Sequence, residues 1–289
     1  MKIKINNCQL FFEVYGSKLE ITKLTAREKP TLIFLHGGPG IADHTLYVSF
    51  WSRFSDVAQV IFIDQRGNGR SDLGESSSWN LNQWGDDIFA FCKMLEIKKP
   101  IVAGVSWGGH VLCSYATRHP EQPGGLIFCD TEARFDMLRI LEGFEQKAGK
   151  EARIIAEAYF KNPTPENVEK YNKICVPYYA HNPYTPTERN RTIFHSEVVQ
   201  YYSHHELRQF NFVNDLKNIQ CPSLILAREN APLHVPSALE EIAKTIPDQL
   251  SNYHLIKEAG SPVYRDAENE VEKIIREFII HVSINDAGK

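Results

Sequence analysis

The stretch GVSWGG, residues 104–109, sets a single serine between glycines. It ends the apolar run PIVAGVS (100–106), which predicts a buried strand, and it opens WGGHVLCSYATRH (107–119), which predicts a helix. Gly-x-Ser-x-Gly between a strand and a helix is the pattern of a nucleophile elbow, because the tight turn needs glycine and lifts the serine to the edge of the sheet. We therefore predict that Ser106 is a nucleophile.

A glycine-rich loop, HGGPG (36–40), follows another apolar run, TLIFLHG (31–37). By itself GGPG is equally consistent with a plain tight turn. Beside an elbow, such a loop can direct a backbone N–H toward the serine, and the helix that follows the serine presents a second N–H at its first residue. We predict that Gly38 and Trp107 donate to an oxyanion hole.

Further strand and helix patterns surround these two motifs. Amphipathic periodicity predicts helices over 80–97, with Asn80 or Asn82 as the N-cap, and over about 267–282. Other strand-like runs occupy residues 59–67, 124–130, 221–227 and 252–259. Repeated strand–helix units predict an α/β fold whose sheet is mostly parallel and covered by helices.

The segment from about 131 to 215 differs from the rest of the chain. It is rich in charged residues, Tyr and His, contains helix-like stretches, and has no convincing strand pattern. We predict an α/β core formed by residues 1–130 and 216–289, with residues 131–215 inserted as a helical cap.

Composition excludes several classes of protein. The chain has 289 residues, a hydrophobic content of 43% and a net charge of -4, so no basic surface for nucleic acid or anionic membrane is expected. No apolar run reaches the length of a membrane span, and the amino terminus does not resemble a signal peptide. The six cysteines include no C-x-x-C pair. We expect a cytoplasmic monomer or homodimer that binds a small molecule.

Metal and cofactor motifs are weak in this sequence. His195, His204 and His205 lack the spacing of a zinc site, and no phosphate-binding or dinucleotide-binding glycine pattern occurs. We predict no metal and no cofactor.

The motifs HGGPG, DQRGNGRSD (64–72) and GVSWGG together resemble the α/β-hydrolase fold family, and specifically its proline iminopeptidase-like branch. The resemblance covers nearly the whole chain and ends in YRDAENEVEKIIREF (264–278). It implies a serine hydrolase in which Ser106 attacks a carbonyl, a histidine takes the serine proton, and a carboxylate orients that histidine. The chain order implied is nucleophile, acid, base.

The chain departs from the family pattern at two of these three positions. The acid position falls in ARENAPLHVP (227–236), where it matches Ala231, and the base position falls in KEAGSPVYRD (257–266), where it matches Ser261. Alanine cannot titrate, and a serine hydroxyl is no general base near neutral pH. The standard triad is therefore incomplete.

An aminopeptidase lineage also implies carboxylates in the cap that would receive a substrate ammonium group. Glu197 and Glu206 are the candidates in this segment. His110 and His234 are expected near the pocket, because one lies on the helix after Ser106 and the other in the loop of the acid position.

Three hypotheses account for the altered positions. The first is an engineered or disabled serine hydrolase for an ester or amide, which the sequence favours because two functional positions differ amid intact motifs. The second is an inactive pseudoenzyme that binds a ligand. The third is an active hydrolase that uses a non-standard base, His110 or His234.

Overall fold

The computed structural model describes residues 1–21, 24–230 and 232–286. Within these residues an eight-stranded sheet has the order β1-β2-β6-β5-β7-β8-β9-β10, and β3 and β4 form a separate two-stranded sheet. The strands are β1 (Lys2–Ile5), β2 (Cys8–Tyr15), β3 (Leu19–Ile21), β4 (Ala26–Glu28), β5 (Thr31–Leu35), β6 (Gln59–Asp64), β7 (Ile101–Val105), β8 (Gly125–Cys129), β9 (Ser223–Arg228) and β10 (Ser251–Ile256).

The helices cover both faces of the sheet or belong to the 131–215 segment. They are α1 (Val48–Trp51), α2 (Leu81–Met94), α3 (Trp107–Arg118), α4 (Met137–Lys161), α5 (Pro165–Ile174), α6 (Pro186–Arg189), α7 (Ser196–His205), α8 (Pro236–Thr245), α9 (Val263–Asp266) and α10 (Glu268–Asp286).

In the eight-stranded sheet, β5 to β10 pair in parallel while β1 and β2 join antiparallel, so the predicted mostly parallel α/β sheet is confirmed. Every residue of β5, β7 and β8 is buried, as expected for strands that helices cover on both faces. Because parallel strands all end at the same edge, the loops after β5, β7, β8 and β9 meet there.

Helix α3 lies unusually close to the sheet because its first turn contains glycine. A Cβ added to Gly108 would lie 2.2 Å from the carbonyl oxygen of Leu35, and one added to Gly104 would lie 2.4 Å from the carbonyl oxygen of Gly108. Only glycine permits this approach of backbone to backbone. The glycines of GVSWGG therefore fix the direction of the helix that follows Ser106.

Helix α2 begins where the sequence predicted. The Asn80 side chain accepts a hydrogen bond from the Gln83 amide, so Asn80 is the N-cap, not Asn82. The apolar face of this helix, with Trp84, Ile88 and Phe91 buried, packs on α3.

Residues 131–215 form helices α4 to α7, and the only β pairing within this segment is a single bridge between Arg134 and Asn211. Part of the segment has an apolar cluster of its own, centred on Ile140, Phe144 and Tyr171.

All six cysteines are buried and unpaired. Among the described residues, no helix combines the length and apolar character that crossing a bilayer requires.

Replacing Gly108 with alanine tests the close approach of α3 to β5. The new Cβ would overlap the Leu35 carbonyl, so we expect the free energy of unfolding to fall by about 1–3 kcal/mol. Urea denaturation measures this change. Asn82→Ala, at an exposed position of α2, is the control and should change stability little. Equal stability of Gly108→Ala and the wild type would contradict the packing described.

Candidate active site

Ser106 stands in a strained turn at the end of β7. Its φ of 53° and ψ of -122° lie outside the regions that L-residues usually adopt. The turn is held on both sides, because the Ser106 amide donates to the Cys129 carbonyl at 3.1 Å and the Thr131 hydroxyl donates to the Ser106 carbonyl at 2.8 Å. The structure therefore has the strand–turn–helix geometry that the sequence predicts for a nucleophile elbow.

The HGGPG loop lies directly beside this serine. A Cβ added to Gly37 would lie 3.4 Å from the Ser106 Cβ.

The HGGPG loop is fixed at both ends by hydrogen bonds. The Gly37 amide donates to the Tyr47 hydroxyl at 3.1 Å, and the Gly40 amide donates to the Asn68 side chain at 2.6 Å. Gly38 lies between them with a φ of 142°, a conformation that favours glycine.

Trp107 is the first residue of α3, so its amide belongs to the helix turn whose N–H groups have no partner within the helix. The side chain of Trp107 also contacts the HGGPG loop, since its Cε3 would lie 3.8 Å from a Cβ added to Gly38. The two residues predicted as oxyanion donors are therefore neighbours.

His234 brings an imidazole to Ser106 from the loop after β9. Its Nε2 lies 3.3 Å from the Ser106 Oγ, and its side chain is buried. The backbone of His234 has a φ of 52°, which is uncommon for a residue other than glycine and indicates a constrained position. The sequence named His234 as a candidate, and the structure brings it to hydrogen-bonding distance of Ser106.

Glu132 completes this chain of contacts. One of its carboxylate oxygens, Oε2, lies 2.8 Å from the Nδ1 of His234, and the residue is 5% exposed. It reaches this place because it lies three residues after β8, in the loop that Thr131 anchors to Ser106. A carboxylate on Nδ1 favours the tautomer whose Nε2 can accept a proton from Ser106.

Electrostatics keep Glu132 ionised. Burial by itself would raise the pKa of its carboxyl group, but attraction to the imidazoles of His234 and His110 outweighs burial and holds the pKa well below its usual range. The group is therefore a carboxylate at neutral pH, as an orienting acid requires.

His110, the other predicted alternative base, contacts Tyr202 and Glu132. Its Nδ1 lies 2.8 Å from the Tyr202 hydroxyl, and its Nε2 lies 3.6 Å from the Glu132 Oε1. Burial lowers the pKa of His110, so the ring is neutral near pH 7. It faces the Glu132 oxygen that does not contact His234, and its ring centroid lies 6.2 Å from that of His234.

A buried ion pair joins the loops that carry Glu132 and His234. Arg228, at the end of β9, lies 2.7 Å from Asp130 and donates to the Leu233 carbonyl at 2.6 Å. Asp130 also accepts from the Val263 amide at 2.8 Å. The pair therefore connects the loops after β8, β9 and β10 beneath the candidate site.

The helical segment 131–215 contacts both sides of the site. A Cβ added to Gly143 of α4 would lie 2.5 Å from the Pro232 carbonyl oxygen and 2.7 Å from the Val235 side chain, on either side of His234. The His195 amide donates to the Gly40 carbonyl at 2.8 Å. The segment is thus seated on both the loop of His234 and the loop of the predicted oxyanion hole.

Of the two positions that the family pattern assigns to the acid and the base, the structure describes only the second. Ala231 lies outside the described residues. Ser261 is half-buried and its amide donates to the Tyr179 carbonyl at 2.7 Å, in the loop after β10.

The two carboxylates predicted to receive a substrate ammonium group, Glu197 and Glu206, lie at opposite ends of α7. Glu206 accepts a hydrogen bond from the Leu81 amide at 3.0 Å, at the N-terminus of α2. The side chain of Glu197 is 47% exposed and lies 3.8 Å from His195. Glu206 therefore already has a structural partner.

Comparison with known proteins agrees with this architecture. The model of the alpha/beta hydrolase fold family matches residues 30–264. The chain belongs to the alpha/beta hydrolase fold family. A curated relative, the proline iminopeptidase of Neisseria gonorrhoeae, is 32% identical over 153 residues, which cover 52% of this chain and 47% of that protein. The chain thus aligns with about half the length of this relative.

Two other proteins match over nearly their full length. The proline iminopeptidase of Lactobacillus helveticus is 24% identical over 281 residues, or 87% of this chain and 90% of that protein. The crystal structure of the proline iminopeptidase of Mycobacterium smegmatis has a TM-score of 0.79, with 19% identity over 99% of both chains. This structural likeness supports the fold.

Sequence reasoning missed Glu132. The signal was present, because DTE (130–132) follows the buried run GLIFC at the edge of the sheet where Ser106 was predicted. The family pattern places the acid and the base after β9 and β10, so it does not point to the loop after β8.

The ion pair between Arg228 and Asp130 gives a stability prediction. Arg228→Met leaves the Asp130 carboxylate buried without its cation, so we expect unfolding to become easier by about 3–5 kcal/mol. The double variant Arg228→Met with Asp130→Asn should lose less than the sum of the two single losses, because it removes both charges. Urea denaturation of the wild type, Arg228→Met, Asp130→Asn and the double variant measures the interaction energy between the two side chains. Strictly additive losses would show that the two side chains do not interact.

Proposed function

We propose that this chain is a serine hydrolase that cleaves a small ester or amide through Ser106, with His234 as the general base and Glu132 as the acid that orients it. The observation that supports this proposal most directly is the continuous set of contacts, 3.3 Å from the Ser106 Oγ to the His234 Nε2 and 2.8 Å from the His234 Nδ1 to Glu132. Of the three hypotheses drawn from the sequence, this geometry favours an active hydrolase with a non-standard base.

In the first half of the proposed reaction, the Nε2 of His234 accepts the hydroxyl proton of Ser106 while the Oγ attacks the substrate carbonyl carbon. The carbonyl oxygen becomes an oxyanion, and the amides of Gly38 and Trp107 donate to it. Glu132 stabilises the imidazolium by its negative charge. His234 then gives the proton to the leaving alcohol or amine, and the acyl group stays on Ser106.

In the second half, water takes the place of the leaving group. His234 accepts a proton from the water, whose oxygen attacks the acyl carbon. Collapse of the second oxyanion releases the carboxylic acid and returns the proton to the Oγ of Ser106. The reaction balances with water as the co-substrate and needs no further cofactor in this scheme.

The helical segment 131–215 is proposed as the cap of this site, over a core formed by residues 1–130 and 216–289. Its contacts at Gly40 and on either side of His234 support this role, because they place the segment against two elements of the proposed machinery. Seated there, it would limit the size of the substrate and the access of water.

The substrate class is drawn from the chemistry and the relatives together. An elbow with an oxyanion hole suits any small carbonyl compound with a leaving alcohol or amine, and the relatives named proline iminopeptidase add an amino-terminal proline amide to the compounds to try. The Glu206 carboxylate already accepts a hydrogen bond from the Leu81 amide, so it is less available to bind a substrate ammonium group. We therefore expect simple esters to be cleaved faster than aminoacyl amides.

Substitution of the three proposed residues tests the function. With p-nitrophenyl acetate and proline p-nitroanilide as substrates, Ser106→Ala and His234→Asn should each lower kcat by about 10⁴-fold or more, and Glu132→Gln by a comparable factor. Asparagine is chosen at position 234 because it tolerates a positive φ and cannot act as a base.

Ser261→Ala is the matched variant at the family position of the base. We expect its kcat/KM to stay within about threefold of the wild type, because the proposal gives Ser261 no chemical role. Hydrolysis that survives in Ser106→Ala, or that disappears in Ser261→Ala while persisting in His234→Asn, would overturn the assignment.

The dependence of the rate on pH provides a second test. Because contacts with the neighbouring imidazoles hold the pKa of Glu132 below its usual range, its carboxylate stays ionised as the pH falls from about 8 toward 5. A general base that has taken up a proton cannot accept the Ser106 proton, so log kcat/KM should fall with a slope of one on the acid side. A slope of two would mean that Glu132 also takes up a proton in this range.

A further inference from the structure

The cluster formed by His110, Glu132 and His234 contains more ligand atoms than the proposed hydrolysis uses. Hydrolysis needs one imidazole on one carboxylate oxygen, whereas the structure packs a second imidazole against the other oxygen. We propose that these three residues also form a binding site for a divalent transition metal such as Zn²⁺. The proposal of the site is independent of the proposed function, and only its inhibitory consequence rests on that function.

The spacing of the ligand atoms suits a single ion. One atom from each residue lies within 4.8 Å of the other two, and all three residues are buried. The individual separations are 3.6 Å from His110 Nε2 to Glu132 Oε1 and 2.8 Å from His234 Nδ1 to Glu132 Oε2. Ligands about 2.0–2.2 Å from a tetrahedral zinc ion lie roughly 3.3 Å apart, so small side-chain shifts complete the set.

The Nε2 of His110 is an independent indication of a ligand. It is buried, with the residue 3% exposed, and it has no hydrogen-bond partner among the described residues. At 3.6 Å the Glu132 oxygen is too distant for a good hydrogen bond. A buried nitrogen without a partner costs free energy, and a metal ion between it and Glu132 would satisfy it.

The other nitrogen of His110 is already arranged as in known metal sites. Its Nδ1 lies 2.8 Å from the Tyr202 hydroxyl. Histidines that bind metal through one nitrogen usually hydrogen-bond through the other, which fixes the tautomer and the ring orientation. Two imidazoles and one carboxylate are, moreover, a donor set that zinc binds in proteins.

In a second cluster, formed by Asp43, His44 and Asp64, the ligand atoms also lie within 4.8 Å of one another. This cluster is less suited to bind a metal ion. Its carboxylates already accept hydrogen bonds from protein donors, with the Ile193 amide and Arg70 on Asp43 and the His44 amide on Asp64. Those bonds hold the loops after β5 and β6 together. The His110 cluster is therefore the better candidate.

Metal binding would inhibit the proposed hydrolysis for a specific chemical reason. A neutral imidazole has one N–H, so a metal on the Nδ1 of His234 leaves the proton on the Nε2 that faces Ser106. That nitrogen can then no longer accept the serine proton. The metal would also draw Glu132 away from its orienting role. Zn²⁺ should thus act as a reversible inhibitor that does not occupy the acyl site.

Direct binding measurements test the site without relying on catalysis. We would strip the protein with EDTA and titrate Zn²⁺ by calorimetry and by competition with a chromogenic chelator. We expect one equivalent to bind wild type and Ser106→Ala with the same affinity within about threefold, because Ser106 is not among the ligands. His110→Phe, which keeps an aromatic ring against Phe210, should bind at least about 100-fold more weakly.

His204→Gln is the control, since it removes an exposed histidine from α7 and should leave zinc affinity unchanged. Co²⁺ bound to the wild type should also give the visible absorption of a tetrahedral site, and Glu132→Gln, a second ligand variant, should lose it. If His110→Phe does not fold, Glu132→Gln decides the question. Absence of binding to the wild type, or equal binding to the ligand variants, would overturn the proposal.

The assay of hydrolysis then separates the two proposals. If Zn²⁺ binds through these residues but the wild type hydrolyses nothing, the metal site stands and the proposed function fails. If the wild type hydrolyses esters but binds no Zn²⁺, the function stands and the metal site fails. If both hold, Zn²⁺ should inhibit the wild type and EDTA should restore the rate.

Discussion

The buried carboxylate of Glu132 is the group on which the arrangement of the site depends. An ionised carboxylate in the protein interior costs several kcal/mol unless charges and hydrogen bonds compensate for lost water. Here the compensation comes from His234 at 2.8 Å, with His110 on the other oxygen. Removing Glu132 would leave two buried imidazoles without their common partner, so the three side chains behave as a unit.

The sheet explains how such a unit can replace the family arrangement. In the order β7-β8-β9-β10, the family positions for nucleophile, acid and base follow β7, β9 and β10. In this chain Ser106, Glu132 and His234 follow β7, β8 and β9, so the proposed acid and base each lie one strand closer to the proposed nucleophile than in the family pattern. The order nucleophile, acid, base along the chain is preserved. Catalytic groups are defined by geometry, and adjacent parallel strands end at the same edge, so neighbouring loops can supply them.

A buried ion pair supports the loops that carry the proposed acid and base. Asp130 and Arg228 form this pair, and their other hydrogen bonds reach the Leu233 carbonyl and the Val263 amide. This pair fixes the start of the His234 loop while α4 packs against the same loop at Gly143. The positive φ of His234 is therefore maintained by contacts from the core below and from the helical segment above.

The sequence by itself determined the fold and the tight turn at Ser106, because both depend on local patterns. Apolar runs of strand length, amphipathic periodicity and the glycines around Ser106 each have a physical cause that acts within a few residues. The N-cap of α2 could be narrowed to Asn80 or Asn82 for the same reason, and the structure shows that it is Asn80. Only the tertiary structure decided which imidazole faces Ser106 and that Glu132 stands behind it. Ser106 and His234 are separated by 128 positions, and Glu132 and His234 by 102. Contacts of that kind arise where the ends of parallel strands meet, and no local pattern records them.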